Sequence, residues 1–325
     1  MDQAKAEQIV NELQFITRVI FSGEVSEFKP SATLLEKSIK PSERPFIKKD
    51  ASGHALYFIV QGKAGVYIGQ PERIIVPEKR TVGEMSMIST VINAFGNRAT
   101  LESRTADVYA EEPMQVIVFN YSPLVEILKE PDPAFRKFRH QILINLNRIM
   151  FRKLMEVNSN YINMLLNYGL TQEASLTKYP SQIVEDINRF LKKMRTIPNI
   201  SVSPHDMRGI LIREGEPNPA LVFLHEGKVK ISKLIKDEET EQEERFELDI
   251  TEAPMIIGES SILNVGAIST AQVETVDKVI GYRIGVQILL RHLQRYPDMF
   301  EDFFKLLLEL NYFRTVNMMQ KTTNL

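Results

Sequence analysis

Two stretches of the chain set a glycine and a glutamate ahead of a run that can turn into a helix. They are TVGEMSMIST at 81–90 and IIGESSIL at 256–263. A Gly-Glu turn leading into a helix exposes backbone N–H groups that lack intrahelical partners, and such groups favour an anion. Glycine also lets the chain come close to whatever is bound. Downstream stand RTADV (104–108) after the first turn and STAQV (269–273) after the second. An arginine brings a permanently charged fork suited to phosphate oxygens. A serine brings one neutral hydrogen bond and cannot neutralise a phosphate.

Other chemistries are absent or thin. The 325 residues contain no cysteine, which excludes disulfides, thiolate metal sites and a cysteine nucleophile. The five histidines (His54, His140, His205, His225 and His292) show no HExxH-type spacing, so no metal site is expected. No GxSxG, GxxxxGK[ST] or GxGxxG is present, and the chain reads as a non-enzyme. A net charge of -2 gives no global argument for nucleic acid or an acidic membrane. The N-terminus, MDQAKAEQIV, lacks a basic lead followed by an apolar core, and apolar runs such as LYFIV (56–60) fall far short of the roughly 18 residues a span needs. A cytoplasmic protein is expected.

The elements that must position the turns follow from periodicity. Ile9, Val10, Leu13, Ile16, Val19 and Ile20 are spaced as one helix face. Residues 25–120 then alternate short apolar segments with Gly, Pro and charged turns, a texture of evenly spaced strands. Ser122-Pro123 is a helix start, with Ser as cap and Pro in the first turn. A stripe through Phe135, Phe138, Ile142, Leu146, Ile149 and Leu154 predicts a long helix to about Val157, with shorter helical pieces over 159–196. Strand texture returns from Ile200, and Leu289, Leu293, Phe300, Phe303, Leu307 and Leu308 predict a closing helix within 286–317. The halves share one plan, so the chain reads as a duplicated domain. The acidic run KDEETEQEE (236–244) reads as a solvated hairpin loop. The basic residues of FRKFRHQILINLNRIMFRKLM read as the wet face of a core helix.

The repeated unit resembles the cyclic nucleotide-binding domain, a jelly-roll flanked by helices. ALYFIVQGKAGVYI (55–68) and ALVFLHEGKVKIS (220–232) are similar to its strand–Gly–strand hairpin, with Gly62 and Gly227 at a turn needing positive φ. REGEPNPA (213–220) resembles the glycine turn before that hairpin, and KKDASGHA in the first half matches it more weakly. VGEMSMI and IGESSIL resemble the start of the family's phosphate-binding cassette. RTADVYAEEPMQVIVF (104–119) and STAQVETVDKVIGYRI (269–284) resemble its end. The resemblance implies an α+β, mainly β, chain with two jelly-roll barrels joined by a helical connector. Domain 1 is expected at 1–158, the connector at 159–197, and a degenerate domain 2 at 198–325.

By resemblance, the ligand is cAMP or cGMP, bound in the first domain by Gly83, Glu84, Met85, Ser86, Arg104, Thr105 and Ala106. Glu84 would accept from the ribose 2′-OH and Arg104 would hold the cyclic phosphate. The degenerate second site comprises Gly258, Glu259, Ser260, Ser269 and Thr270. Plainer roles stand beside these: Glu84 as favourable charge at a helix N-terminus, Arg104 as a surface strand arginine, Glu259 as structural. Glu84 and Arg104 lie 20 residues apart and Glu259 and Ser269 lie 10 apart, so the first cassette carries an insert within 89–103. Arg98 in that insert is a rival phosphate ligand, and Arg283 or Lys278 could substitute for the missing arginine of the second half. The expected function is a nucleotide sensor that signals to an unidentified protein partner. The alternative is a tandem-barrel adaptor that binds no nucleotide.

Overall fold

The computed structural model describes residues 1–25, 28–67, 73–96, 104–168, 176–196, 205–236, 243–263 and 268–323. The chain divides into two compact units, one of Met1–Leu154 with Arg314–Leu325 and one of Met155–Phe313.

In the first unit, helix α1 (Gln3–Ser22) is capped by Asp2, whose carboxylate accepts from Lys5 N–H at 2.8 Å, and it ends at Gly23 in the left-handed region. Its expected apolar face is the buried one, with Ile9, Val10, Leu13, Ile16 and Val19 at 0–1% exposure. Seven strands follow: β1 (Leu34–Ile39), β2 (Ala55–Gln61), β3 (Ala64–Tyr67), β4 (Ile74–Val76), β5 (Thr81–Val82), β6 (Asp107–Ala110) and β7 (Met114–Asn120). They form a sheet of order β1-β7-β2-β5 and a sheet of order β4-β3-β6. Ile59, Val116 and Val118 of one sheet and Ala64, Val108 and Ala110 of the other share a single core cluster. The jelly-roll is thus two open antiparallel sheets packed together. Among the described residues the hydrogen bonding does not close into a barrel.

Helix α2 (Glu84–Ala94) leaves β5, and α3 (Ser122–Lys129) leaves β7. Ser122 does not cap α3, because it already lies inside the helix. Asn120 accepts from its N–H at 3.1 Å, with Tyr121 at the cap position and Pro123 in the first turn as expected. Helix α4 (Arg136–Tyr168) runs without a break past Val157, where a shorter helix was expected. Its basic residues are not all on a wet face. Arg139 is 8% exposed and donates to Glu130 O at 2.6 Å and Asp132 O at 3.3 Å.

The second unit begins with the rest of α4 and then β8 (Leu176–Thr177), a strand inside the stretch expected to be helical. It pairs in parallel with the later strand at Ile250 and Thr251, and Thr177 Oγ1 donates to the buried Asp249 carboxylate at 2.6 Å. Helix α5 (Ser181–Arg195) follows. The strands are β9 (His205–Met207), β10 (Ile210–Ile212), β11 (Ala220–Glu226), β12 (Lys228–Lys236), β13 (Glu243–Glu252), β14 (Met255–Ile257), β15 (Gln272–Thr275) and β16 (Val279–Gly285). Helix α6 (Ser260–Leu263) leaves β14, and α7 (Val286–Arg295) and α8 (Pro297–Thr323) close the chain. The acidic run begins and ends on β12 and β13, and its middle, 237–242, lies outside the described residues.

The duplication is visible pair by pair. Ala55↔Asn120 and Phe58↔Ile117 in the first unit match Ala220↔Gly285 and Phe223↔Tyr282 in the second. The β3–β4 and β3–β6 pairings recur as β12–β13 and β12–β15. Both hairpin glycines have positive φ, 92° at Gly62 and 97° at Gly227, and a Cβ on either would lie under 3.0 Å from backbone. The weaker turn match is also real. Asp50 (φ 61°) takes the place of Gly215 (φ 77°), and their N–H groups donate at 2.9 Å to Arg104 O and Ser269 O respectively. Asp is among the residues that tolerate this conformation.

Candidate anion site at the glycine-glutamate turns

In the first unit, β5 ends at Val82 and Gly83 turns the chain at φ 96° into α2, with Glu84 as its first residue. The N–H groups of Glu84, Met85 and Ser86 have no acceptor among the described residues, as the first turn of a helix dictates. Met85 and Ser86 are buried, and Ser86 Oγ lies 3.2 Å from Tyr121 Oη. The helix terminus carries partial positive charge among buried side chains.

Arg104 comes to this turn across the fold. Its backbone is fixed by Arg104 N–H to Ala51 O at 3.0 Å and by Asp50 N–H to Arg104 O. Its guanidinium donates from Nη1 to Gly83 O at 3.3 Å and from Nη2 to Ala55 O at 2.7 Å. The residue is 6% exposed, so the surface-arginine alternative does not apply. Two of its five donors are used. Among the described residues no carboxylate is paired with it, and its charge meets only carbonyl dipoles. Burying a cation without a counter-ion is costly. The site is therefore electrostatically biased toward an anion.

Glu84 is 2% exposed, and Lys153 of α4 forms an ion pair with its Oε1 at 2.5 Å. Among the described residues no hydrogen-bond donor reaches Oε2. Lys153 balances Glu84, leaving the charge of Arg104 over. Thr105 is half-buried in the bend before β6 and Ala106 is 7% exposed. Arg98 and most of the insert's second half, 97–103, lie outside the described residues. The insert's first half is helix: α2 runs to Ala94, eleven residues against four in α6.

Three features were not anticipated from the sequence. Lys153 is one, since nothing local links it to Glu84. Gly53 is another: a Cβ there would stand 2.6 Å from Arg104 Nε and closer still to Ser86 Oγ. Its lack of a side chain makes room for the guanidinium. The third is Asn218, which occupies the equivalent position in the second unit.

In the second unit Gly258 (φ 85°) makes the same turn, Glu259 is 8% exposed, Ser260 is half-buried and α6 is short. Ser269 is 5% exposed, its Oγ has no partner among the described residues, and Thr270 is half-buried. Neither candidate replacement cation serves the turn. Arg283 donates to Leu211 O at 2.6 Å, and Lys278 is exposed between β15 and β16. Among the described residues no group of His, Asp and Glu could hold a metal, and no helix is long and apolar enough to cross a membrane.

No family model and no curated protein matches the chain. Solved structures do. A cAMP-bound PfPKA-R is 15% identical, with 98% of this chain and 93% of that one covered, at a TM-score of 0.30. A regulatory subunit of a cAMP-independent protein kinase A from Trypanosoma brucei is 15% identical over 91% of this chain and 94% of that one, at 0.26. A cyclic nucleotide-binding domain from Methylobacillus flagellatus is 18% identical over 43% of this chain and 82% of that one, at 0.34. At these TM-scores none of the likenesses bears on which ligand this chain takes.

Proposed function

We propose that the chain is a cytoplasmic regulatory protein, not an enzyme, that binds cAMP or cGMP in its first unit and signals to a separate protein partner. One observation carries this reading. The Arg104 guanidinium is buried, without a carboxylate counter-ion among the described residues, beside unpartnered N–H groups at the start of α2. A cyclic phosphate would take the free donors of Arg104 and the amides of Glu84, Met85 and Ser86. The two carbonyl contacts hold the fork in place, so little is lost in ordering it. The ribose hydroxyl would compete with Lys153 for Glu84. A ligand that weakens the Glu84–Lys153 pair changes how α4 is held, which is a route to a population shift in that helix. The second unit, with Ser269 in place of the arginine, would not bind the phosphate.

The adaptor reading has one observation in its favour: Glu84 is paired with Lys153, and Arg104 donates to Gly83 O and Ala55 O. Calorimetric titration of the full chain with cAMP and with cGMP separates the two. Saturable binding of either, lost in Arg104→Ala, supports the sensor, and no heat with either supports the adaptor.

A further inference from the structure

The two Gly-Glu turns are each roofed by a side-chain nitrogen, but the nitrogen comes from different places in the repeated unit, from Arg104 before β6 and from Asn218 before β11. At Gly83 an ideal Cβ would meet Arg104 Nη1, with Ala55 O at 3.0 Å. At Gly258 it would meet Asn218 Nδ2 at 2.5 Å, with Ala220 O at 2.9 Å. Ala55 and Ala220 are matched positions, as are Arg104 and Ser269, so Gly53 and Asn218 are matched as well. Asn218 Oδ1 accepts from Ala220 N–H at 3.4 Å, which turns the amide nitrogen toward Gly258. That nitrogen is buried and has no hydrogen-bond partner among the described residues.

The two arrangements compete for one place. In the first unit the Nε and Cζ of Arg104 lie 2.6 and 2.8 Å from where a Cβ on residue 53 would be, far inside contact distance. A side chain at 53 would push the guanidinium of Arg104 out of its present seat. In the second unit residue 218 has a side chain and residue 269 is short. We infer that Asn218 takes the place over Gly258 that a guanidinium from position 269 would need, so the second unit is built without the cation that a phosphate requires, and that Gly53 is the matching residue that admits Arg104 in the first. The loss of the arginine is therefore only half of the change. Ser269→Arg alone does not rebuild a phosphate site, because Asn218 fills the place the guanidinium needs. Asn218→Gly with Ser269→Arg does. This rests on the sensor reading of the first unit for its choice of probe.

The test uses the full chain in an Arg104→Ala background, so that only the second unit can respond, titrated with cAMP and with cGMP. The chain with Ser269→Arg added is expected to bind no better than the background. With Asn218→Gly also present, affinity is expected to rise at least about ten-fold, the scale of one charge-assisted contact. Equal binding by the two variants overturns the inference, as does no gain in a triple variant with an unchanged circular-dichroism melt. A crystal structure of the Ser269→Arg chain gives a readout that needs no ligand. A guanidinium kept away from the Gly258 turn is expected, and one seated over Gly258 with Asn218 unmoved overturns the inference. If the parent chain binds neither nucleotide, the sensor reading fails while that structure still decides this one.

Discussion

Replacing Lys153 with methionine would leave the Glu84 carboxylate buried at 2% exposure without the ammonium that now lies 2.5 Å from Oε1. The shape of the side chain is largely kept, so the effect is mostly electrostatic. Breaking a buried ion pair by removing one partner costs about 3–5 kcal/mol. Lys153 is 20% exposed, so water shares some of its charge and the lower end of that range applies. For a unit of this size each kcal/mol lowers the melting temperature by about 2–4 °C, so a fall of roughly 6–12 °C is expected. Adding Glu84→Gln removes the orphaned charge. The double variant is expected to recover most of the loss, since replacing both members of a buried pair is often near neutral. The assay is urea and thermal unfolding followed by far-UV circular dichroism, because the chain has no tryptophan. The reasoning is refuted if Lys153→Met lies within about 0.5 kcal/mol of the parent, or if the double variant is as unstable as the single.

Further outcomes follow from the same geometry. Lys153→Met, though less stable, should bind the nucleotide more tightly, since a ribose hydroxyl no longer competes with an ammonium for Glu84; weaker binding in calorimetry contradicts this. Gly53→Ala should weaken nucleotide binding by about ten-fold or more, because its Cβ would displace the Arg104 guanidinium; unchanged affinity contradicts it. Burial pushes the Tyr282 hydroxyl well above the usual phenol range, and that hydroxyl has no hydrogen-bond partner among the described residues. An acid whose folded pKa is raised costs stability once pH climbs past its unfolded value near 10. Tyr282→Phe should therefore be neutral within about 0.5 kcal/mol at pH 7 and more resistant than the parent above pH ~10, as read by urea unfolding at both pH values; a loss above about 1.5 kcal/mol at pH 7 would sink the idea.

The features legible in the sequence were those set by local backbone needs. Gly62, Gly227, Gly83 and Gly258 marked turns because only glycine adopts their φ without cost, and the structure puts all four at positive φ. The likeness of both 104–119 and 269–284 to the end of one cassette set Arg104 against Ser269, and both lie buried at corresponding places. Asp50 concealed a glycine-type turn because an aspartate can stand in for glycine there. Ser122 misled as a cap because Asn120, two residues earlier, reaches its N–H first. The two-residue β8 was invisible, since its pairing partner lies more than seventy residues away. Lys153, Gly53 and Asn218 were missed for the same physical reason. Each matters through a neighbour distant in sequence, and neither periodicity nor motif spacing reports which side chain fills the space beside another.

The central claim is that the first unit, through Arg104, takes a cyclic nucleotide and the second does not. Isothermal titration of the full chain with cAMP and cGMP, beside Arg104→Ala, tests it most directly. One site per chain is expected for at least one nucleotide, weakened by on the order of ten- to a hundred-fold in Arg104→Ala, the scale of a charged hydrogen-bond partner of about 1.5–3 kcal/mol. Two equivalent sites, or binding that Arg104→Ala leaves unchanged, would contradict it.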